Sequence, residues 1–381
     1  MTISAGAIFL LELFNHLRSK ESRATPLAEG INLDISKQTA LSNTFYLFIG
    51  VIFLFTLIDL YVHGIIILGD RTRYSIFNEY EARIRHISML IWIFAPLSLI
   101  KIFPTWTRIG MFFWSIIFPV LVLDRNRLLM ALFSVAIVFF ILNWTRVTPK
   151  AKKLIAASLA LLCVGVFSLV GEIRSGSNGI VSTYTDSRTT QITLMGVKDV
   201  AAACKVPEYL PVSQHVRDLP QSLQWLILYA ASPIYNLAMQ DTCAISDPSF
   251  LKAQVIPLWK RFNSTGGPLL VSPRLNVGTE AMPFFLAFGA LGVLVCIIAE
   301  YLILKLSAEA LLRQKSLFSL LLFLRFSYCA VFFGFAPQFF LWTTLGFVLV
   351  ILSAKRIFSF LQRNPDFLET LLSSFDAPKK S

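Results

Sequence analysis

Residues 283–304 read PFFLAFGALGVLVCIIAEYLIL, an apolar run interrupted by a single acidic group, Glu300, near its end. A helix needs about 20 apolar residues to cross the hydrocarbon core of a bilayer, and this run has that length. Blocks of the same kind recur at 42–66, 87–102, 109–123, 128–144, 154–169, 317–335 and 339–353. The 381-residue chain is 56% hydrophobic and only 15% charged, where soluble domains carry roughly 25% charged residues. A soluble globular protein is excluded. The pattern predicts an all-α fold, a polytopic transmembrane helical bundle of about 8–9 spans. The ninth, at 3–14, is too short to cross and lacks the basic n-region of a signal peptide, and reads as a shortened or non-native start or as a half-span.

The net charge of +12 would suggest nucleic acid in a soluble protein. Its location gives a different reading. With the basic stretch 145–153 in the cytoplasm and the spans alternating outward from it, eighteen Lys and Arg fall inside and six in the short outer loops. That is the positive-inside distribution, so much of the charge orients the helices and no nucleic acid is implied. The C-terminus falls in the cytoplasm.

Residues 171–282 form one large outer segment between the fifth and sixth spans, with nine Lys/Arg against eight Asp/Glu. It is nearly neutral and rich in proline, and reads as a partly folded exoplasmic loop domain. The chain thus divides into N-terminal transmembrane helices (1–170), the outer domain (171–282), C-terminal transmembrane helices (283–353) and a cytoplasmic tail (354–381). Within the outer domain, 222–239 (SLQWLILYAASPIYNLAM) is apolar enough to be mistaken for a span. Crossing would put the basic loop 305–315 outside. Pro233, Trp225, Tyr229 and Tyr235 suit a re-entrant or interfacial helix instead.

Cys163, Cys296 and Cys329 lie in apolar spans as small hydrophobes. Cys204 and Cys243, both in the outer domain, either pair as a disulfide in an oxidising compartment or remain free. The four histidines are scattered, with no HExxH and no CxxC, so no metal is expected. Motifs for nucleotide binding or a nucleophile elbow are absent from the sequence, and no cofactor is expected.

The basic residues in the short outer loops are all arginine. Asp124-Arg125-Asn126-Arg127 fills a minimal outer turn, Arg71, Arg73, Arg83 and Arg85 occupy the preceding outer loop, and Arg174 follows the fifth span in Gly171-Glu172-Ile173-Arg174. Guanidinium holds phosphate bidentately where lysine offers a point charge. The set reads as an exoplasmic anion site suited to the diphosphate of a lipid-linked substrate. The alternative is that these arginines bind ordinary anionic membrane lipids or snorkel. Ionisable groups inside spans are the second signal, since their burial costs several kcal/mol unless they are paired or face a polar cavity. Arg325 stands mid-span, and Asp59 and His63 share a helix face. An Asp59–Arg325 bridge between helices and a substrate contact by Arg325 are both open. Glu300 is expected to pair with a nearby basic side chain.

The chain resembles the Wzy-type O-antigen and capsule polymerases, membrane enzymes that join oligosaccharide repeat units. The resemblance rests on the turn Asp124 to Leu129, on Gly171 to Arg174 opening the large loop, on Tyr229 to Leu237, and on Asn276-Val277-Gly278-Thr279 followed by Phe288-Gly289-Ala290-Leu291-Gly292. It departs from the family pattern at Ala287, where an acidic residue often stands, and at Asn126 and Leu128, where small residues are common. The resemblance implies a GT-C-like glycosyltransferase of the bacterial inner membrane acting on its periplasmic face. The implied partners are undecaprenyl-diphosphate-linked oligosaccharide, membrane lipids and a chain-length regulator protein.

On that reading an acceptor hydroxyl attacks the anomeric carbon of the donor and lipid diphosphate leaves, stabilised by positioned arginines. Arg125, Arg127 and Arg174 are the expected catalytic anion holders. His215 and Glu172 are candidates for the general base, with Glu280 equally defensible. Arg71, Arg73, Arg274, Asn276, Thr279, Tyr235 and Arg325 are the expected substrate-binding residues. An O-antigen ligase shares donor and arginine dependence and remains an alternative. A lipid-linked oligosaccharide flippase or transporter would be expected to carry an internal repeat and paired broken helices, and the sequence displays neither.

Overall fold

The computed structural model describes residues 39–69, 87–100, 103–143, 214–242, 246–256, 281–332 and 339–364, with a few isolated positions between 148 and 165. Those residues form ten α-helices and one 3-10 helix, with no strand among them. The expected fifth span and most of the outer domain lie outside the described residues.

Helix α1 (Thr39–His63) is an unbroken apolar run. The expected span at 87–102 is instead a 3-10 helix, Met89–Ile93, leading into a short α2, Phe94–Leu99. Pro96 has no N–H to give the carbonyl four residues back, so the helix cannot close a regular α-turn through this point. The chain turns extended at Ile100. Pro104 then precedes α3 (Thr105–Leu121), which a tight turn joins to α4 (Arg125–Asn143). That turn holds Leu123 at φ 52°, left-handed for a non-glycine residue, at a cost of roughly 1–2 kcal/mol. Burial of the Leu123 side chain, 1% exposed, offsets it.

From the outer segment come α5 (Gln214–Arg217), α6 (Gln221–Thr242) and α7 (Pro248–Val255). The expected interfacial stretch 222–239 is thus helical, with Pro233 inside α6. Helix α7 is capped by Asp247, which accepts from the Ser249 and Phe250 amides. Helix α8 (Met282–Gln314) is 33 residues long and carries the expected span through what reads as a basic loop. A Ser316–Ser319 capping box starts α9 (Leu317–Val331), and α10 runs from Trp342 to Arg363.

Helix α8 is broken. Gly289 adopts φ 63°, ψ −148°, a region open only to glycine. The break frees the carbonyl of Leu286, which accepts from the Asp247 amide at 2.8 Å and from Ser246 Oγ at 3.3 Å. The start of α7 is thereby pinned to the break. The bend also brings the Phe284 carbonyl within 2.0 Å of where a Cβ on Gly292 would stand. The Phe288-to-Gly292 motif is therefore a helix break with two sterically obligatory glycines.

One core joins α1 to α4 with α8, α9 and α10, built around Trp92, Phe94, Phe118, Phe323, Tyr328 and Phe339. Small residues sit where helices approach, Ala95, Ser115, Ala131 and Ser134 all being fully buried. Among the described residues two helices are long and apolar enough to cross a membrane, Tyr46–His63 within α1 and Met282–Gln314, and 28% of each apolar window is buried. Leu47, Tyr61, Phe288, Leu291 and Leu306 are among the large apolar side chains they turn outward.

Candidate functional site

A cluster of buried interhelical polar groups lies at one end of the bundle, where α1 ends, α4 and α10 begin, and α9 nears its end. Arg127, in the first turn of α4, is 5% exposed. Its Nε lies 2.8 Å from Asp124 Oδ2 in an ion pair, and Asp59 Oδ2 of α1 lies 3.6 Å from its Nη1. Nη1 also donates to Ser88 Oγ at 3.1 Å, and the Phe118 ring lies 5.5 Å from the guanidinium carbon. Ser88 donates to Asp59 Oδ2 at 2.6 Å, and His63 Nδ1 meets Asp59 Oδ1 at the same distance. Asp59, with 1% exposure, is thus engaged by a hydroxyl, an imidazole and a guanidinium. This arrangement compensates a buried carboxylate that would otherwise be costly.

Arg325 is in a different state. It is 6% exposed, and its guanidinium donates only to neutral groups: Nε and Nη2 to Thr344 Oγ1 at 3.1 and 2.5 Å, and Nη1 to Met130 Sδ at 2.9 Å. No carboxylate partners it among the described residues. The Asp59–Arg325 bridge that the sequence leaves open is not formed, because Arg127 occupies Asp59. One turn further along α9, Tyr328 Oη donates to Asn126 Oδ1 at 2.6 Å, tying α9 to the start of α4.

Both arginines line one cavity of about 470 Å³. Asn126, Met130 and Thr343 share its wall with them, and the rest is apolar, including Trp92 and Phe347. Two carboxylates offset Arg127, whereas only neutral groups surround Arg325. The cavity therefore presents net positive charge in a low-dielectric setting, where a guanidinium attracts an anion far more strongly than in water. Such an arrangement can hold an anion carried on an apolar body.

Of the residues expected at the site, Arg127 and Arg325 come together here. Arg125 begins the same helix, two residues from Arg127. Tyr235 lies within α6. His215 is exposed on α5 and does not line the cavity. Arg71, Arg73, Arg174, Glu172, Arg274, Asn276 and Thr279 lie outside the described residues, as do Cys204 and Cys243. Ser88, Thr344 and the Asn126–Tyr328 pair were not expected. A lone hydroxyl in an apolar stretch carries no signal until a neighbouring helix brings it a partner. No protein-family model, curated protein or solved structure matches the chain.

Proposed function

We propose that this protein is a polytopic glycosyltransferase of the bacterial inner membrane that polymerises undecaprenyl-diphosphate-linked oligosaccharide repeat units on the periplasmic face. The observation that carries the reading is Arg325, a buried guanidinium with no carboxylate partner among the described residues, lining one cavity with Arg127. The positive-inside distribution puts that end of the bundle outside. The outward apolar faces of α1 and α8 favour lipid contact over a soluble core.

In the proposed reaction the acceptor hydroxyl attacks the donor's anomeric carbon. A new glycosidic bond forms as the bond to the lipid diphosphate oxygen breaks. The electron pair leaves with the diphosphate, and the hydroxyl proton passes to a base, for which His215, Glu172 and Glu280 are the candidates. Arg325 stabilises the charge gathering on the leaving diphosphate. One well-placed donor in such a position is worth roughly 3–4 kcal/mol, or about 10²–10³ in rate. Arg127, held by Asp59 and Asp124, supplies a second guanidinium in fixed orientation.

The break of α8 at Gly289 gives a transporter reading some weight, since transporters use broken helices, although in pairs. Gene deletion followed by gel separation of surface glycan distinguishes the readings. Loss of the ladder with one repeat retained on the core supports the polymerase. Long lipid-linked chains that never reach the core indicate a ligase, and cytoplasm-facing lipid-linked units indicate a flippase. Within the polymerase reading, Arg325→Gln abolishes chain extension at unchanged membrane abundance. Normal long-chain glycan in that variant overturns the site.

A further inference from the structure

The cavity reaches the outward face of α10. Leu349 and Val350 of α10 line it, yet they are 56% and 41% exposed, so they stand at a rim where the cavity meets the outward face of that helix. Across the mouth, Ile87, Met89 and Leu90 are half-buried. Gly346, one turn before the rim, also lines the cavity and leaves its wall without a side chain there. Positions 346, 349, 350, 353, 357 and 360 follow helical spacing and share one face of α10. Beyond the rim that face continues outward through Ile357 and Phe360, 55% and 52% exposed. From Gly346 to Phe360 it extends about 21 Å at the rise of an α-helix.

We propose that this track is the hydrocarbon subsite of the anion cavity. The diphosphate sits against Arg325 and Arg127, and the lipid chain leaves sideways past Gly346, between Leu90 and the Leu349–Val350 rim, to lie along α10. The inference rests on the anion site proposed above and adds the route of the ligand's hydrocarbon chain. The occupant is an anionic lipid that arrives from within the bilayer. A water-soluble sugar nucleotide would leave the track empty. Charge and apolarity in the cavity are spatially ordered, with both guanidinium groups on the bundle side and the rim wholly aliphatic. That order matches an amphiphile in one orientation.

Two probes separate the parts of the site: a polyprenyl diphosphate in nanodiscs and inorganic diphosphate, each titrated against the purified full chain. Gly346→Leu fills the wall, and Leu349→Gln makes the exposed rim polar with little risk to the fold. Each variant is expected to weaken the polyprenyl diphosphate about tenfold, equivalent to roughly two buried methylene groups, while inorganic diphosphate binds as before. Arg325→Gln is expected to abolish binding of both probes. Unchanged polyprenyl diphosphate affinity in Leu349→Gln and Gly346→Leu overturns the hydrocarbon subsite and leaves the anion site standing. Unchanged binding of both probes in Arg325→Gln overturns the anion site itself.

Discussion

Arg127 and Arg325 are equally hidden, yet their environments ask opposite things of them. Asp59 and Asp124 neutralise Arg127, so removing either side of that cluster strands a buried charge, which costs about 3–5 kcal/mol. Asp59→Ala is therefore expected to lower thermal stability of the purified protein markedly. Arg325 already carries an unneutralised charge among neutral partners, and Arg325→Gln keeps hydrogen-bonding capacity toward Thr344 while removing the charge. Its melting temperature should stay unchanged or rise. Thermal unfolding in detergent compares the two variants, and an equal loss in both would mean that Arg325 has a structural rather than a binding role. The sequence alone left Arg325 as open to a bridge with Asp59 as to a substrate contact, and set Arg127 among the anion holders. It marked Asp59, Arg127 and Arg325 as ionisable groups in or beside spans, but which carboxylate reaches which arginine depends on how α1, α4 and α9 rotate against one another.

At the scale of elements, the apolar runs of α1, α4, α8 and α9 were legible because a helix of that composition has few alternatives. The departures from them trace to single residues. Pro96 replaces an expected span by a 3-10 turn and a six-residue helix, and Gly289 breaks α8 within what reads as continuous apolar sequence. A glycine in a helical pattern is usually tolerated, so Gly289 gave no warning that it would take a positive φ. Three glycine-to-alanine variants test the break. Gly50 lies within α1 with open space around it, and Gly50→Ala should stabilise by up to about 1 kcal/mol. Gly289→Ala is strained at φ 63° and should destabilise by roughly 1–2 kcal/mol. Gly292→Ala meets the Phe284 carbonyl at 2.0 Å, cannot be absorbed by a side-chain shift, and should be the worst of the three. Thermal unfolding of the set gives the order, and a neutral Gly292→Ala would show that α8 can run straight.

At the scale of the whole molecule, the reading depends on which side of the membrane the cavity faces. On the proposed orientation, Arg313 and its neighbours Lys305 and Lys315 lie in the cytoplasm and Asp218, beside α5, lies outside. Both positions are exposed, so a cysteine at either is accessible to a maleimide from its own side. In a background with all five native cysteines replaced, Asp218→Cys is expected to react with a membrane-impermeant maleimide on intact spheroplasts. Arg313→Cys should react only after permeabilisation, and the two remaining lysines keep that loop's orientation signal in place. Because α8 and α9 meet at residues 315–316, Arg313 marks the end of the bundle opposite Asn126 and Tyr328, where the cavity lies. The reversed labelling pattern would turn Arg325 and Arg127 toward the cytoplasm. A diphosphate pocket on that face would belong with the assembly of lipid-linked units before export, and polymerisation on the periplasmic face would have to be abandoned.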